Sequence, residues 1–167
     1  MLGVTTKLPT EPPRIAMSVS NEQTNDREAV HSRLIKATPE RLFKALSEPA
    51  HLTRWWGPRG FSSTFRKFDF RPGGQWIFVL HGPDGTDYPN ENVFVELVPS
   101  QRAVIEHISE SHHFLLTITF KAIDTGTLVG WRQVFDTAEH KNQVAHIVLE
   151  ANEQNLDRLA AEVQNVQ

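Results

Sequence analysis

Cysteine is absent from this sequence of 167 residues, which excludes disulfide bonds, thiolate metal sites and cysteine nucleophiles. The 17 lysine and arginine residues nearly balance the 20 aspartate and glutamate residues. A formal net charge of -3 gives no strong field that would attract nucleic acid or an anionic membrane. No apolar run approaches the ~20 residues of a membrane span, and the N-terminus lacks the positive-then-apolar order of a secretory signal. We therefore expect a cytoplasmic protein with no membrane span and no nucleic-acid partner.

Catalytic and metal-binding motifs are also missing, since the sequence contains no Gly-x-Ser-x-Gly elbow, Walker loop or Gly-x-Gly-x-x-Gly loop. Glu96 and Glu106 lie on successive predicted strands and could pair as acid and base, but strand carboxylates between apolar neighbours more often face solvent. His107, His112 and His113 surround one predicted hairpin tip. Adjacent strand residues point to opposite faces, so we interpret these histidines as a solvated polar turn. We predict no catalytic residue, no metal and no cofactor.

Bulky rings supply much of the apolar content: the sequence has ten Phe and four Trp but only one Tyr. This usage favours a large, mostly apolar interior. Residues 1–26 contain three prolines and no periodicity, so we predict a flexible N-terminal tail, within which Met17 is an alternative native start. Residues 27–167 are long enough for one domain with a substantial core.

Helix signals flank the predicted strands on both sides. Thr38-Pro39-Glu40-Arg41 combines an N-cap hydroxyl with proline at the first helical position, and Ser47-Glu48-Pro49 repeats this signal for a second short helix that ends near Trp55. From Ala145 onward, positions three or four residues apart form one stripe, within a segment of about 25 residues from Glu139 to Val163: Val148, Asn152, Leu156, Leu159 and Val163. This spacing predicts a terminal helix of roughly 35–40 Å.

Alternating apolar residues between Phe61 and Phe135 are separated by turn residues, which predicts about six antiparallel strands after a first strand at 29–35. One face of such a sheet must be buried, and only the terminal helix is long enough to cover it. The sequence therefore predicts an α+β fold with a curved antiparallel sheet of about six to seven strands around a long C-terminal helix. Because a wide sheet curves, a straight helix against it leaves a natural cavity.

Three segments resemble one known family. The segment Thr38–Leu46 with Trp55-Trp56-Gly57-Pro58, the segment Asp69-Phe70-Arg71-Pro72-Gly73-Gly74-Gln75-Trp76, and Leu156-Asp157-Arg158-Leu159 are similar to the Hsp90 ATPase activator-homologue domains of the START-like, Bet v 1-like (SRPBCC) superfamily. The resemblance extends from about Arg27 to Val163. It implies a helix-grip fold and a hydrophobic cavity, which in various relatives holds lipids, polyketides or aromatic compounds.

The chain departs from its relatives on the last helix, where many carry Gly-Trp and this sequence has Ala151-Asn152. Losing an indole removes roughly 200 Å² of buried apolar surface. Either the cavity is larger and more polar, or another ring such as Trp131 fills the space. We expect Asn152 to bond a strand side chain such as Gln133, or water, or to orient a polar group of a ligand.

The resulting hypothesis is that a small hydrophobic or aromatic molecule binds between the sheet and the terminal helix. One of Trp55 and Trp56 would anchor the core and the other would lie at the cavity mouth. The alternatives are a co-chaperone-like module that contacts an Hsp90-type ATPase, and an enzyme of the cyclase or dehydratase kind. The predicted ligand-binding residues are Trp55, Trp56, Trp76, Phe78, Val95, Phe114, Leu116, Ile118, Trp131, Gln133 and Asn152.

Overall fold

The structure, a computed structural model, describes residues 25–167, so the predicted tail at 1–26 and the alternative start at Met17 lie outside the described residues, except for 25 and 26. A first strand is followed by two short helices, six strands and one long helix. The elements are β1 Glu28–Ile35, α1 Pro39–Ser47, α2 Pro49–Trp55, β2 Ser62–Phe68, β3 Gln75–His81, β4 Asp87–Val98, β5 Arg102–Ile108, β6 Phe114–Ile123, β7 Gly126–Phe135 and α3 Ala138–Glu162.

The seven strands form one antiparallel sheet in the order β1-β7-β6-β5-β4-β3-β2. Strands β2 to β7 are a meander in which each strand pairs with its neighbour in the chain. Strand β1 pairs with β7, with Ala29 opposite Gln133, and so brings the first strand beside the last. The sheet curves around α3, which confirms the predicted α+β helix-grip fold.

Helix α1 begins as its sequence signal predicts, whereas α2 has the predicted Pro49 in its first turn but no hydroxyl cap, because its N-cap residue is Glu48 and makes no side-chain hydrogen bond there. The Thr38 hydroxyl accepts a hydrogen bond from the backbone N–H of Arg41 at 3.2 Å, and Pro39 occupies the first turn of α1. The guanidinium of Arg41 then donates to the carbonyl oxygens of Val163 and Val166, at 2.8 and 3.0 Å. These bonds fasten the end of the chain to α1, so the short helices and the C-terminus lie together.

Helix α3 contains 25 residues, a length of about 37 Å. The hydroxyl of Thr137 caps it by accepting from the backbone N–H of His140 at 3.1 Å. Its buried positions recur every three or four residues along one stripe, in which Asn155 and Leu156 are adjacent. These residues are Val148, Asn152, Asn155, Leu156, Leu159 and Glu162. The helix therefore covers the inner face of the sheet, as the sequence predicts.

Aromatic rings fill much of the main core. Trp76, Phe78 and Phe94 project from β3 and β4 and are fully buried. Trp55, at the end of α2, is also buried, and its indole N–H donates to the carbonyl oxygen of Ala45 at 2.9 Å. Because that polar atom has a partner, the ring closes the core beneath the short helices at no hydrogen-bonding cost.

Val95 does not face the interior of the protein, which corrects the sequence-based prediction. Val95 was expected on the inner face, but its side chain is 47% exposed, whereas Phe94 is buried. In the pairing with β5, Phe94 faces Ile105 and Glu96 faces Val104, so Val95 is the extra residue of a β-bulge. A one-residue shift exchanges the two faces of a strand, which removes Val95 from the interior.

Candidate functional site

A cavity of about 230 Å³ lies between the inner face of the sheet and α3. Strands β3 to β7, the helix and the segment after α2 all contribute to its walls. Its lining residues are Trp56, Gly57, Pro58, Leu80, Asn90, His107, His112, Phe114, Leu116, Trp131, Gln133, Ile147, Val148, Ala151, Asn152 and Asn155.

The wall beside α2 is the segment Trp56–Pro58. Gly57 has a φ of +98°, and a Cβ atom there would lie 2.9 Å from Leu80 Cδ1, so a larger residue would be both strained and crowded. The side-chain oxygen of Asn155 accepts from the backbone N–H of Gly57 at 2.8 Å. Nη1 of Arg158 donates to the carbonyl oxygens of Gly57 at 2.8 Å and Pro58 at 3.0 Å. The terminal helix therefore holds this wall in place through side-chain bonds.

All four tryptophans of the chain lie in one cluster beside the cavity. The ring centroid of Trp56 lies 5.4 Å from Trp55, 4.8 Å from Trp76 and 5.6 Å from Trp131. Trp56 and Trp131 line the cavity, whereas Trp55 belongs to the core. Of the two adjacent rings at the end of α2, Trp55 thus packs in the core and Trp56 forms part of the cavity wall.

Asn152 lies on the buried stripe of α3 and meets Gln133 of β7 across the cavity wall. Its side-chain N–H donates to the side-chain oxygen of Gln133 at 3.0 Å. The two residues are 6% and 5% exposed. Burying an unpaired amide costs about 1–3 kcal/mol, so this bond makes the polar pair tolerable in the interior. The predicted bond between Asn152 and Gln133 is confirmed.

His107 faces the cavity from β5 and is 8% exposed. Its Nδ1 lies 2.9 Å from the side-chain oxygen of Asn92, whose N–H donates to the carbonyl oxygen of Trp76 at 3.3 Å. Phe114 stacks on the imidazole with ring centroids 4.7 Å apart. Burial, with smaller contributions from the charges of His112 and a further histidine, lowers the pKa of His107 to about 4. The imidazole is therefore neutral near pH 7.

His112 lines the cavity from the turn between β5 and β6, and its Nδ1 lies 2.8 Å from Nε2 of His140 in the first turn of α3. Burial, and then the nearby His140, lower the pKa of His112. His113 points elsewhere, to Glu106 at 2.9 Å and Asp136 at 2.7 Å, which raise its pKa. Within residues 25–167, no group of three or more side chains is arranged to hold a metal ion.

The described residues that line the cavity include no lysine, arginine, aspartate or glutamate. A larger hollow of about 630 Å³ is an open groove between the start of α1 and the turn after β4, and its lining includes Glu40, Arg102 and Lys121. The smaller cavity is the one enclosed by sheet and helix, and it carries aromatic walls. In its chemistry it is the better candidate site for an apolar molecule.

Six of the eleven predicted ligand-binding residues line this cavity: Trp56, Phe114, Leu116, Trp131, Gln133 and Asn152. Four others, Trp55, Trp76, Phe78 and Ile118, are buried in the core without lining it, and Val95 faces outward. The structure thus brings together the residues predicted on β6, β7 and α3.

The sequence analysis placed His107 in a solvated turn, and this interpretation is wrong. Ala103 and Ile105 are buried on β5, and simple alternation carries the same face to His107. That signal was available in the sequence. The contacts of Asn155 with the wall segment had no comparable signal, because they join residues nearly 100 positions apart.

The family described as Activator of Hsp90 ATPase homolog 1-like protein matches residues 36–164 of this chain. The match contains the short helices, β2 to β7 and all of α3. Among curated proteins no match is found.

Several solved structures share the fold. A protein from Nitrosomonas europaea has 18% identity and a TM-score of 0.77, with 84% of this chain and 96% of that chain covered. A protein from Chromobacterium violaceum has 24% identity and a TM-score of 0.71, with 83% and 97% covered. An AHSA1-like protein from Aeromonas hydrophila has 18% identity and a TM-score of 0.66, with 83% and 92% covered. At these identities the similarity is evidence of the fold alone.

Proposed function

The chain belongs to the family of Activator of Hsp90 ATPase homolog 1-like proteins, and we propose that it binds one small apolar or aromatic molecule in the cavity between the sheet and α3. Family and fold support a ligand-binding or co-chaperone-like module. The observation that favours ligand binding is a hollow of about 230 Å³ with aromatic walls and no ionisable side chain other than two histidines among its described lining residues.

The volume limits the size of the ligand. An apolar cavity of about 150 Å³ holds benzene, and drug-sized ligands occupy roughly 300–1,000 Å³. A cavity of about 230 Å³ falls between these limits, so it fits a compound of one substituted ring or two fused rings. Burying roughly 200 Å² of such a ligand contributes about 5 kcal/mol, which corresponds to a dissociation constant of roughly 0.2 mM.

Two substitutions on one helix test this proposal. Ala151 lines the cavity and Ala161 is exposed ten residues later on α3. We expect calorimetric titration with naphthalene to show saturable binding of one molecule to the wild type and to Ala161→Trp, and at least tenfold weaker binding to Ala151→Trp. Equal binding to all three proteins would place the ligand elsewhere and refute the proposal.

The family name supplies the competing function, activation of an Hsp90-type ATPase. A pull-down of a purified Hsp90-type ATPase by the wild type distinguishes the two. Specific capture of the chaperone, together with no saturable naphthalene binding, would replace the ligand-binding proposal with the co-chaperone module.

Within the described part of the chain, no helix is long and apolar enough to cross a membrane.

A further inference from the structure

Two nearly buried rings of the cavity wall carry a polar atom that lacks a partner among the described residues. One is the indole Nε1 of Trp131, which is itself fully buried and so is out of reach of a molecule in the cavity. His107 uses Nδ1 for its contact with Asn92, and its other nitrogen, Nε2, has no bond to a described side chain. Polar groups in an interior are usually paired, and His107 lines the cavity, so its unpartnered Nε2 indicates a ligand with a polar group.

The bonds of Asn92 determine which proton His107 carries. Because the side-chain N–H of Asn92 donates to the carbonyl oxygen of Trp76, the oxygen of the same amide faces His107. That oxygen can only accept, so Nδ1 of the imidazole must be the donor. Nε2 then carries a lone pair rather than a proton. His107 thus offers the cavity a hydrogen-bond acceptor.

The lack of charged side chains among the described lining residues restricts the ligand further. A carboxylate or ammonium group in this cavity would find no lysine, arginine, aspartate or glutamate among the described lining residues. Burying an unpaired charge costs far more than burying a hydroxyl that has a partner. A phenol-type hydroxyl, in contrast, is neutral and can donate to Nε2 of His107.

We propose that the ligand of this cavity is a neutral aromatic compound of one or two rings that carries a hydroxyl group, and that His107 selects it by accepting a hydrogen bond from that hydroxyl at Nε2. This inference rests on the proposed function, because it assigns the ligand class of the same cavity. Phe114, stacked on the imidazole, fixes the plane in which the lone pair of His107 lies.

Three matched probes test the inference: 2-naphthol, naphthalene and 2-naphthoate, titrated calorimetrically at pH 7.5. A net hydrogen bond is worth about 1 kcal/mol, so we expect the wild type to bind 2-naphthol roughly fivefold more tightly than naphthalene. We expect no measurable binding of 2-naphthoate. The variant His107→Asn keeps a donor for Asn92 but has no atom at Nε2. In this variant the affinity for 2-naphthol should be no higher than the affinity for naphthalene.

A measurement on the wild type alone makes the test independent of how well the variant folds. In protein labelled with ¹⁵N-histidine, 2-naphthol should shift the Nε2 signal of His107, and naphthalene should not. Naphthalene binding without preference for 2-naphthol, or a preference that survives in His107→Asn, would overturn the role of His107 and leave the proposed function standing. Tight binding of 2-naphthoate would overturn the neutral ligand class. If no probe binds, the proposed function itself fails.

Discussion

Replacing Asn152 with tryptophan would fill the cavity from the helix side. Asn152 lines the cavity and is buried against Gln133, so a larger side chain at this position has the hollow of about 230 Å³ in front of it. Its effect on stability and on ligand binding depends on whether that space is open.

Two opposing contributions determine how much Asn152→Trp changes the free energy of unfolding. An indole buries roughly 200 Å² of apolar surface, which contributes about 5 kcal/mol. The side-chain oxygen of Gln133 loses its donor, at a cost of about 1–3 kcal/mol. After subtracting the surface that Asn152 already buries, we expect Asn152→Trp to raise the free energy of unfolding by about 1–3 kcal/mol. For a chain of this size the melting temperature would rise by roughly 3–10 °C.

Asn152→Leu is the matched control, because it removes the same amide but leaves much of the cavity open. Chemical denaturation and naphthalene titration of both variants separate filling from loss of the hydrogen bond. We expect the leucine variant to be equal to or less stable than the wild type and still to bind naphthalene. The tryptophan variant should be more stable than either and should bind naphthalene at least tenfold more weakly.

The opposite result would refute the reasoning. If Asn152→Trp lost several kcal/mol relative to Asn152→Leu, the indole would be overpacking a region that is already filled. The cavity would then not exist in solution as an open space, and the size limits placed on the ligand would be invalid.

Two further predictions concern the wall and the buried imidazole. Gly57→Ala should lower the free energy of unfolding by about 1–3 kcal/mol, since an alanine at φ +98° is strained and its Cβ crowds Leu80. An unchanged free energy of unfolding in chemical denaturation would contradict this. The pKa of His107, about 4 in the folded protein, lies below its ordinary value of 6.5, so the unfolded chain binds the proton first as pH falls. Between pH 7.5 and 4.5 the free energy of unfolding of the wild type should therefore fall by about 2–3 kcal/mol more than that of His107→Asn, which keeps all the other titrating groups. If the free energy of unfolding of the two proteins changed in parallel with pH, the pKa of His107 would not be depressed.

Local sequence signals predicted most of the fold. Thr38 with Pro39 marked the start of α1, and the spacing of turn residues gave six strands after the first. The stripe on the terminal helix placed Asn152 against the sheet, and its bond to Gln133 followed from the need of a buried amide for a partner. These predictions succeeded because capping, alternation and helical periodicity act over a few residues.

The site was predicted less completely because its details depend on tertiary contacts. The bulge in β4 exchanges the two faces of the strand and leaves Val95 outside the interior. Nothing in the alternation of Val93, Val95 and Leu97 reveals this bulge. The acceptor that His107 offers depends on Asn92, which pairs with it only once β4 and β5 are in register. Pairings of this kind are set by the fold as a whole.

The bonds between α3 and its surroundings are distributed unevenly along the helix. From Asn152 onward the helix is tied to the sheet and to the wall segment, most firmly where Arg158 bonds the carbonyl oxygens of Gly57 and Pro58. Its front third has the contact of His140 with His112, and Ile147 beside the cavity is 62% exposed there. A tilt of the first turns of α3 would therefore break fewer hydrogen bonds than a tilt of its rear. We expect an incoming molecule to enter the cavity at the front of the helix.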